Sequence, residues 1–402
     1  MRILLAAQGF LAVSNGPSVF ANRLARGLAQ AGHEVLVLTP SDRGRPRHEM
    51  RDGIAIRALR SVPLARDAGV WVTPLVDPSI GRLLDAYKPD VVHLQDHYPT
   101  SRAVLHASLR RQLPRVATNH FVPENFTAGV RALALGRRLV TRLLWRGAMN
   151  VLARVDLVVA PTATAARLLV DRGLKVPVEA ISCGVDLQRF SPEVAGTSRE
   201  PREIGPIGRI GPIGLVGSAR FLVAYVGRLD REKEVDLLFE ALRRTRRDDV
   251  VLVLAGTGRD EARLRALSAP LGARVRFLGH VEQERLADLL RAMDLFAMPC
   301  RIELQSIATL EAMACGLPVL AARGGALPEL VEDGVNGALF RPGDADDAAR
   351  KLEALLATST DRAALGAASI ERAASHDVAQ TVRRYLRVYE RAIRGSRPGY
   401  KT

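Results

Sequence analysis

Two cations stand close together after an apolar run. Arg228 and Lys233 follow Phe221–Val226 in the stretch Gly227-Arg-Leu-Asp-Arg-Glu-Lys233. A planar guanidinium beside an ammonium suits a diphosphate, and Gly227 at the strand end lets a ligand approach the backbone. Taken alone, the stretch reads better as a solvated charged turn. Further on lies Met298-Pro-Cys-Arg-Ile-Glu303-Leu-Gln-Ser306-Ile307-Ala-Thr-Leu-Glu311, continuing through Gly316-Leu-Pro-Val to Gly324-Gly325. Ser306 is a fair N-cap and Gly316 a good residue just past a helix end, so a helix is predicted from about Ser306 to Cys315. Its first amides would face an anion. Glu303 and Glu311 would flank that end, ready to accept hydrogen bonds from sugar and ribose hydroxyls. A weaker signal is Leu254-Ala-Gly256-Thr-Gly258, a glycine turn whose structural use is the more probable one.

The N-terminal half offers a different set. Gly16, in Asn15-Gly16-Pro17-Ser18, opens a helix that could approach a phosphate closely. Pro89-Asp-Val-Val-His93 and Thr118-Asn119-His120 end two apolar runs, and a histidine at such a strand end is a candidate for ligand contact. His120 is the first choice; His93, His97, Glu124 and Asn125 are alternatives for an acceptor. His33, in Gly32-His33-Glu34, reads as structural, and Ser182–Asp186 as a turn or a ligand contact.

These residues need a scaffold that puts strand ends to use. Short apolar runs alternate with helical patterns along the whole chain. Predicted strands are Ile3–Ala7, Val35–Thr39, Val91–Leu94, Val116–Asn119, Leu157–Ala160 and Val178–Ile181, then Phe221–Val226, Val250–Ala255, Val275–Leu278, Leu295–Met298 and Pro318–Ala321. Helical patterns such as Val19–Ala31, Val235–Arg244 and Gln283–Ala292 fall between them. Strands apolar throughout are buried on both faces, and repeated βαβ units imply parallel sheets. The expected organisation is a Rossmann-like domain over 1–190, a Gly/Pro-rich linker over 191–220, a second such domain over 221–380, and a helix with a basic tail over 381–402. The linker carries Ile204-Gly-Pro-Ile-Gly-Arg-Ile-Gly-Pro-Ile-Gly214, which suits neither helix nor strand. Ligands of open parallel sheets bind at the carboxyl ends of strands, so the two domains are expected to face each other across a cleft.

The chain has 402 residues and a formal net charge of +15, which favours anionic partners but is equally the mark of an arginine-rich proteome. Its three cysteines, Cys183, Cys300 and Cys315, show no metal-ligand spacing and point to a reducing compartment. The segment Val130–Arg154 carries Arg131, Arg137, Arg138, Arg142, Arg146 and Arg154 among leucines and Trp145, with no acid. A basic amphipathic helix of this kind suits an anionic membrane surface. The alternative is a surface helix that packs its apolar face on its own domain. No apolar run is long enough to span a bilayer.

Together, Gly227–Lys233, Glu303–Val319, Phe277-Leu-Gly-His-Val281 and Glu329-Leu-Val-Glu-Asp-Gly-Val-Asn-Gly337 resemble the large family 4 of retaining glycosyltransferases, of GT-B fold, across nearly the whole chain. The resemblance implies metal-independent transfer of a hexose, mannose or glucose, from a GDP- or UDP-sugar to a hydroxyl acceptor, with a membrane lipid or glycolipid among the candidates. Arg228 and Lys233 would hold the diphosphate, with Gly227, Gly256, Ser306 and Ile307 lining its path. Glu303 would take the sugar hydroxyls and Glu311 the ribose. The backbone at Gly279, His280 and Val281 would meet the base, and His120 would touch the sugar near its reacting carbon. No nucleic acid partner is expected, and the cytoplasm, at the inner face of the plasma membrane, is the expected location. Two alternatives stay open: a nucleotide-sugar epimerase of the same fold, and a non-catalytic sugar-nucleotide or anion-binding protein. One departure stands out. The family usually reads Glu-x-Phe-Gly-Leu, where this chain has Glu303-Leu-Gln305-Ser306-Ile307.

Overall fold

The computed structural model describes residues 1–11, 15–65, 70–74, 78–124, 136–192, 221–357 and 359–395. The Gly/Pro/Ile repeat of the expected linker, Asn125, Val130 and Arg131 of the basic segment, and residues 396–402 of the tail therefore lie outside the described residues. The chain divides into two compact units.

The first unit holds β1 (Arg2–Ala6), β2 (Glu34–Pro40), β3 (Arg47–Arg51), β4 (Ile54–Leu59), the short pair β5 (Val62–Ala65) and β6 (Val70–Val72), then β7 (Val91–Leu94), β8 (Arg115–Thr118), β9 (Leu157–Ala160) and β10 (Val178–Ala180). Eight of these form one sheet in the order β10-β9-β8-β7-β1-β2-β4-β3. All neighbours are parallel except β3 with β4. Its central strands are buried on both faces, as their unbroken apolar runs require. The second unit holds β11 (Phe221–Val226), β12 (Val250–Ala255), β13 (Val275–Gly279), β14 (Leu295–Met298), β15 (Val319–Ala322) and β16 (Gly337–Phe340), all parallel in the order β13-β12-β11-β14-β15-β16.

Both sheets reverse direction of travel beside their first strand. The chain lays β12 and β13 on one side of β11 and β14 to β16 on the other; in the first unit β2 lies on one side of β1 and β7 on the other. Loops leaving the carboxyl ends of such neighbouring strands diverge and open a crevice, where open α/β sheets take ligands.

Four features differ from the sequence reading. The hairpin β3–β4, the short pair β5–β6 and the strand β16 were not anticipated. In β16, Gly337 sits so close to β15 that a side chain there would lie 1.9 Å from the Val319 carbonyl oxygen; a glycine, normally a strand weakener, is what lets the edge strand pair. The C-terminal helix, Val378–Gly395, belongs to the first unit rather than standing as a separate appendage after residue 380. Its Tyr385 and Tyr389 are fully buried there against His93 and Thr118.

Candidate nucleotide-sugar site

The site of the second unit grows from the switch point. Gly227–Lys233 leaves the end of β11, and Pro299–Ser306 leaves the end of β14, its neighbour in the sheet. Adjacent strand ends bring residues far apart in sequence into contact: Lys233 Nζ donates to Glu303 Oε1 at 2.5 Å. Both side chains are largely buried. Burial opposes the ammonium charge, but the Glu303 carboxylate outweighs it and holds the Lys233 pKa above its ordinary value. Arg228 pairs with Asp230 and, at 2.6 Å, with Glu232, both almost inaccessible, while its own guanidinium remains two-fifths exposed. The second Glu232 oxygen, Oε2, is buried without a partner among the described residues.

Backbone packing fixes these loops. Tyr225, fully buried, donates its hydroxyl to the Arg228 carbonyl at 2.8 Å. Gly256 packs on the preceding loop so tightly that a side chain would fall 1.9 Å from the Gly227 carbonyl oxygen. Its glycine identity is thus required by loop-on-loop contact, whatever else it does. The Gly256 amide donates to the Gly279 carbonyl at 2.7 Å, which ties the end of β12 to that of β13. Beyond Gly279, Val281 is buried and His280 exposed. The Ala326 amide donates to the Glu303 carbonyl at 2.8 Å and so pins the Glu303 loop to the Gly324-Gly325 turn.

The helix beyond Glu303 spans Ile307–Ala314, with Ser306 as its N-cap. Ser306 Oγ accepts from the Thr309 amide at 3.2 Å and from the Thr309 hydroxyl at 2.8 Å. The amides of Ile307 and Ala308 precede the first intrahelical hydrogen bond and are free in principle to meet an anion. Glu311 lies inside this helix and is almost wholly buried. Cys300 is fully buried, donates its thiol to the Glu232 carbonyl at 3.1 Å, and has its pKa pushed up to about 12 by burial, so it is a packing residue and no nucleophile.

Of the residues singled out from the sequence, Gly227, Arg228, Lys233, Gly256, Gly279, His280, Val281, Glu303, Ser306, Ile307 and Glu311 all lie in this unit, at or just beyond strand ends or in that helix. Gly16 and His120 lie in the first. The counter-charges Asp230 and Glu232, and Tyr225, escaped the sequence reading. The alternating signs within Gly227–Lys233 were the available clue, since a desolvated cation needs a nearby acid.

Gly16 is the first residue of the helix Gly16–Gln30, which Asn15 opens with a reciprocal cap: its side chain accepts from the Ser18 amide at 3.0 Å and Ser18 Oγ accepts from the Asn15 amide at 3.1 Å. Phe20 of that helix packs on the His120 ring, centroids 4.8 Å apart. Burial lowers the His120 pKa to about 4, and its buried Nε2 has no partner among the described residues. A neutral imidazole nitrogen in this position can serve a hydroxyl-bearing ligand.

His93 is corrected. It is completely buried, with Nδ1 2.7 Å from the Tyr389 hydroxyl and Nε2 2.8 Å from Thr118 Oγ1, so it locks the C-terminal helix to the sheet and reaches no ligand. Trp145 is corrected too. It faces inward at 5% exposure, beneath the Arg172 guanidinium 4.0 Å from its ring, and offers nothing to a membrane. Among the described residues, no helix is long and apolar enough to cross a bilayer.

Comparison with known proteins agrees with this architecture. Residues 14–189 match the model of Glycosyltransferase Family 4 and residues 214–372 that of Glycosyl transferases group 1. The chain is 34% identical to a D-inositol 3-phosphate glycosyltransferase of Geodermatophilus obscurus, over 86% of this chain and 78% of that protein. It is 32% identical to a GDP-mannose-dependent alpha-mannosyltransferase of Mycolicibacterium smegmatis, over 82% of each. Among solved structures it is similar to a sucrose-phosphate synthase from Thermosynechococcus elongatus (TM-score 0.76, 22% identity, 97% of this chain and 98% of that one). It is also similar to Anabaena HepE in complex with UDP-glucose (TM-score 0.75, 21% identity, 97% and 100%).

Proposed function

This chain belongs to glycosyltransferase family 4, with the two Rossmann-like units of the GT-B fold, and is a glycosyltransferase; from that premise we propose that it moves a hexose, mannose or glucose, from a GDP- or UDP-sugar to a hydroxyl acceptor, with retention of configuration and without a metal. The observation that carries the reading is the buried Lys233–Glu303 pair beside Arg228, at the switch point of the second sheet. It sets cations for a diphosphate next to a carboxylate for sugar hydroxyls. Arg228 and Lys233 neutralise the departing diphosphate, helped by the amides at the start of helix Ile307–Ala314, which supplies the electrostatic stabilisation that a cation would otherwise give. The bond from the anomeric carbon to the phosphate oxygen breaks, the acceptor oxygen bonds to that carbon on the same face, and the acceptor proton passes to the leaving phosphate. Glu303 orients the sugar through its hydroxyls, Glu311 the ribose, and the backbone from Gly279 to Val281 the base. His120 receives a hydroxyl of the sugar at its unpartnered Nε2. Relatives named for GDP-mannose and for inositol phosphate support a hexose donor and a polyol-type acceptor, and a lipid-borne hydroxyl fits the same chemistry.

A thermal-shift screen against GDP, UDP, GDP-mannose and UDP-glucose tests the donor, because a ligand bound only by the folded state raises the melting temperature. One nucleotide series is expected to stabilise the protein, with turnover unchanged by EDTA and the product keeping the donor's anomeric configuration. No shift with any of the four, or an inverted product, overturns the reading.

A further inference from the structure

The helix Arg137–Leu152 has two unlike sides. Trp145, Ala148, Val151 and Leu152 are buried against its own unit. The opposite side shows Leu139 at 59% exposure and Leu143 at 56%, one helical turn apart. Arg138, Arg142 and Arg146 repeat at the same spacing in the adjacent stripe and are all exposed. Among the described residues none of these three arginines makes an ion pair, and the helix contains no Asp or Glu. Elsewhere on the described surface exposed arginines are commonly tied to acids, as Arg265 is to Glu261 and Arg391 to Glu179. Single exposed leucines are ordinary, but two side by side with an unpaired row of guanidinium groups form a surface with its own chemistry.

We infer that this outward face of helix Arg137–Leu152 is a docking surface for an anionic lipid membrane, with Leu139 and Leu143 entering the acyl boundary and Arg138, Arg142 and Arg146 on the headgroup phosphates. The inference goes beyond the transfer reaction and stands without it. Charge complementarity selects the partner: guanidinium groups bind phosphate oxygens bidentately, and their aliphatic stems share the apolar stripe with the leucines. A nucleic acid would satisfy the arginines but leave two leucines against a phosphate backbone with nothing to bury them. A bilayer satisfies both, with the helix lying in the surface plane.

The test is co-flotation of the full-length protein with vesicles of phosphatidylcholine alone and with about one-third phosphatidylglycerol. Binding is expected only to the anionic vesicles and is expected to weaken with added salt. Each arginine-to-glutamine change at 138, 142 and 146 is expected to cost about fivefold in partitioning. The pair Leu139→Ser, Leu143→Ser is expected to cost at least about tenfold at unchanged charge. An unchanged melting temperature without vesicles shows that the variants fold. Equal binding to neutral vesicles, no binding to anionic ones, or wild-type binding by either variant overturns the proposal. So does a shift from dimer to monomer in the leucine variant with flotation intact, which would make the face a contact between copies, and so does duplex DNA binding that depends on both leucines.

Discussion

At the switch point of the second unit the polar groups are ionic: Lys233 with Glu303, Arg228 with Asp230 and Glu232. At the corresponding strand ends of the first unit the histidines are neutral: His93, His97 and His120 are held by burial at pKa values of about 3, 4 and 4. The acid beside them, Asp96, has its pKa raised by burial against three hydrogen bonds, with no cation partner among the described residues. The wiring of the two sheets is alike, yet one unit keeps cation–carboxylate pairs inside and the other holds neutral imidazoles. The difference fits the ligands proposed above, with His93 set aside because its two nitrogens are taken by Tyr389 and Thr118. A diphosphate brings its own charge and can take over the cations from their resident carboxylates, whereas a sugar or polyol brings only hydroxyls, which neutral nitrogens serve without a counter-ion.

The largest effect that could break this contrast belongs to Lys233. Lys233→Met is expected to lower kcat/KM by about 10³-fold and, by leaving Glu303 buried without its partner, to destabilise the fold by about 3–5 kcal/mol. Adding Glu303→Gln should restore most of the stability and none of the activity. Denaturant titration of the single and double variants decides; a double variant as unstable as the single would show that the pair is not what holds this loop.

Next in size is the response of the first unit to acid. The histidines ordinarily titrate near 6.5, and here their folded-state values lie lower, so the unfolded chain takes up protons first. Stability is then full above about pH 6.5 and falls as the pH drops toward 4, because the unfolded chain takes up protons that the folded one does not. Both tryptophans, Trp71 and Trp145, lie in this unit, so their fluorescence follows its melting. A tryptophan melting temperature that stays level between pH 6.5 and 4 would contradict neutral burial.

Smaller effects sharpen the assignment. His120→Ala is expected to lower kcat/KM about tenfold, the worth of one hydrogen bond to a hydroxyl, with nucleotide affinity unchanged in the thermal-shift assay; equal losses in both would make His120 structural. Ser306→Gly, which brings back the family's glycine, should change stability by only a few tenths of a kcal/mol, because glycine is itself a tolerated N-cap. If kcat/KM moves beyond about threefold in that variant, the serine hydroxyl serves the donor and not merely the Thr309 amide.

Much of the second unit was readable in the sequence because most of its strands are short apolar runs closed by a glycine, a proline or a charge, as at Val226-Gly227, Ala255-Gly256 and Met298-Pro299. The Ser306 cap was readable for the same local reason. The Lys233–Glu303 pair was not, since the motif gives residue types and only the β11–β14 adjacency, set by the crossover, says which of them meet. In the helix Arg137–Leu152 periodicity gave the amphipathic pattern but not its inward side, so Trp145 was first counted on the wrong face. His93 stood among the alternatives for an acceptor contact because its true partners, Tyr385 and Tyr389, come from the other end of the chain. The β3–β4 hairpin escaped because its edge strand, Arg47–Arg51, has a single apolar residue, Met50, and that one is exposed.

The placement of helix Val378–Gly395 also sets an order of events on the ribosome. Residues 185–377 form a continuous stretch of chain, complete before the final helix is translated. The first unit has its strands by Ala180 but waits for Tyr385 and Tyr389, just over two hundred codons later, which is roughly 10–40 s of synthesis. Throughout that interval the nascent sheet lacks the helix that covers His93 and Thr118. The half of the enzyme made first is thus the half finished last, and its exposed apolar sheet is what a chaperone would meet at the exit tunnel.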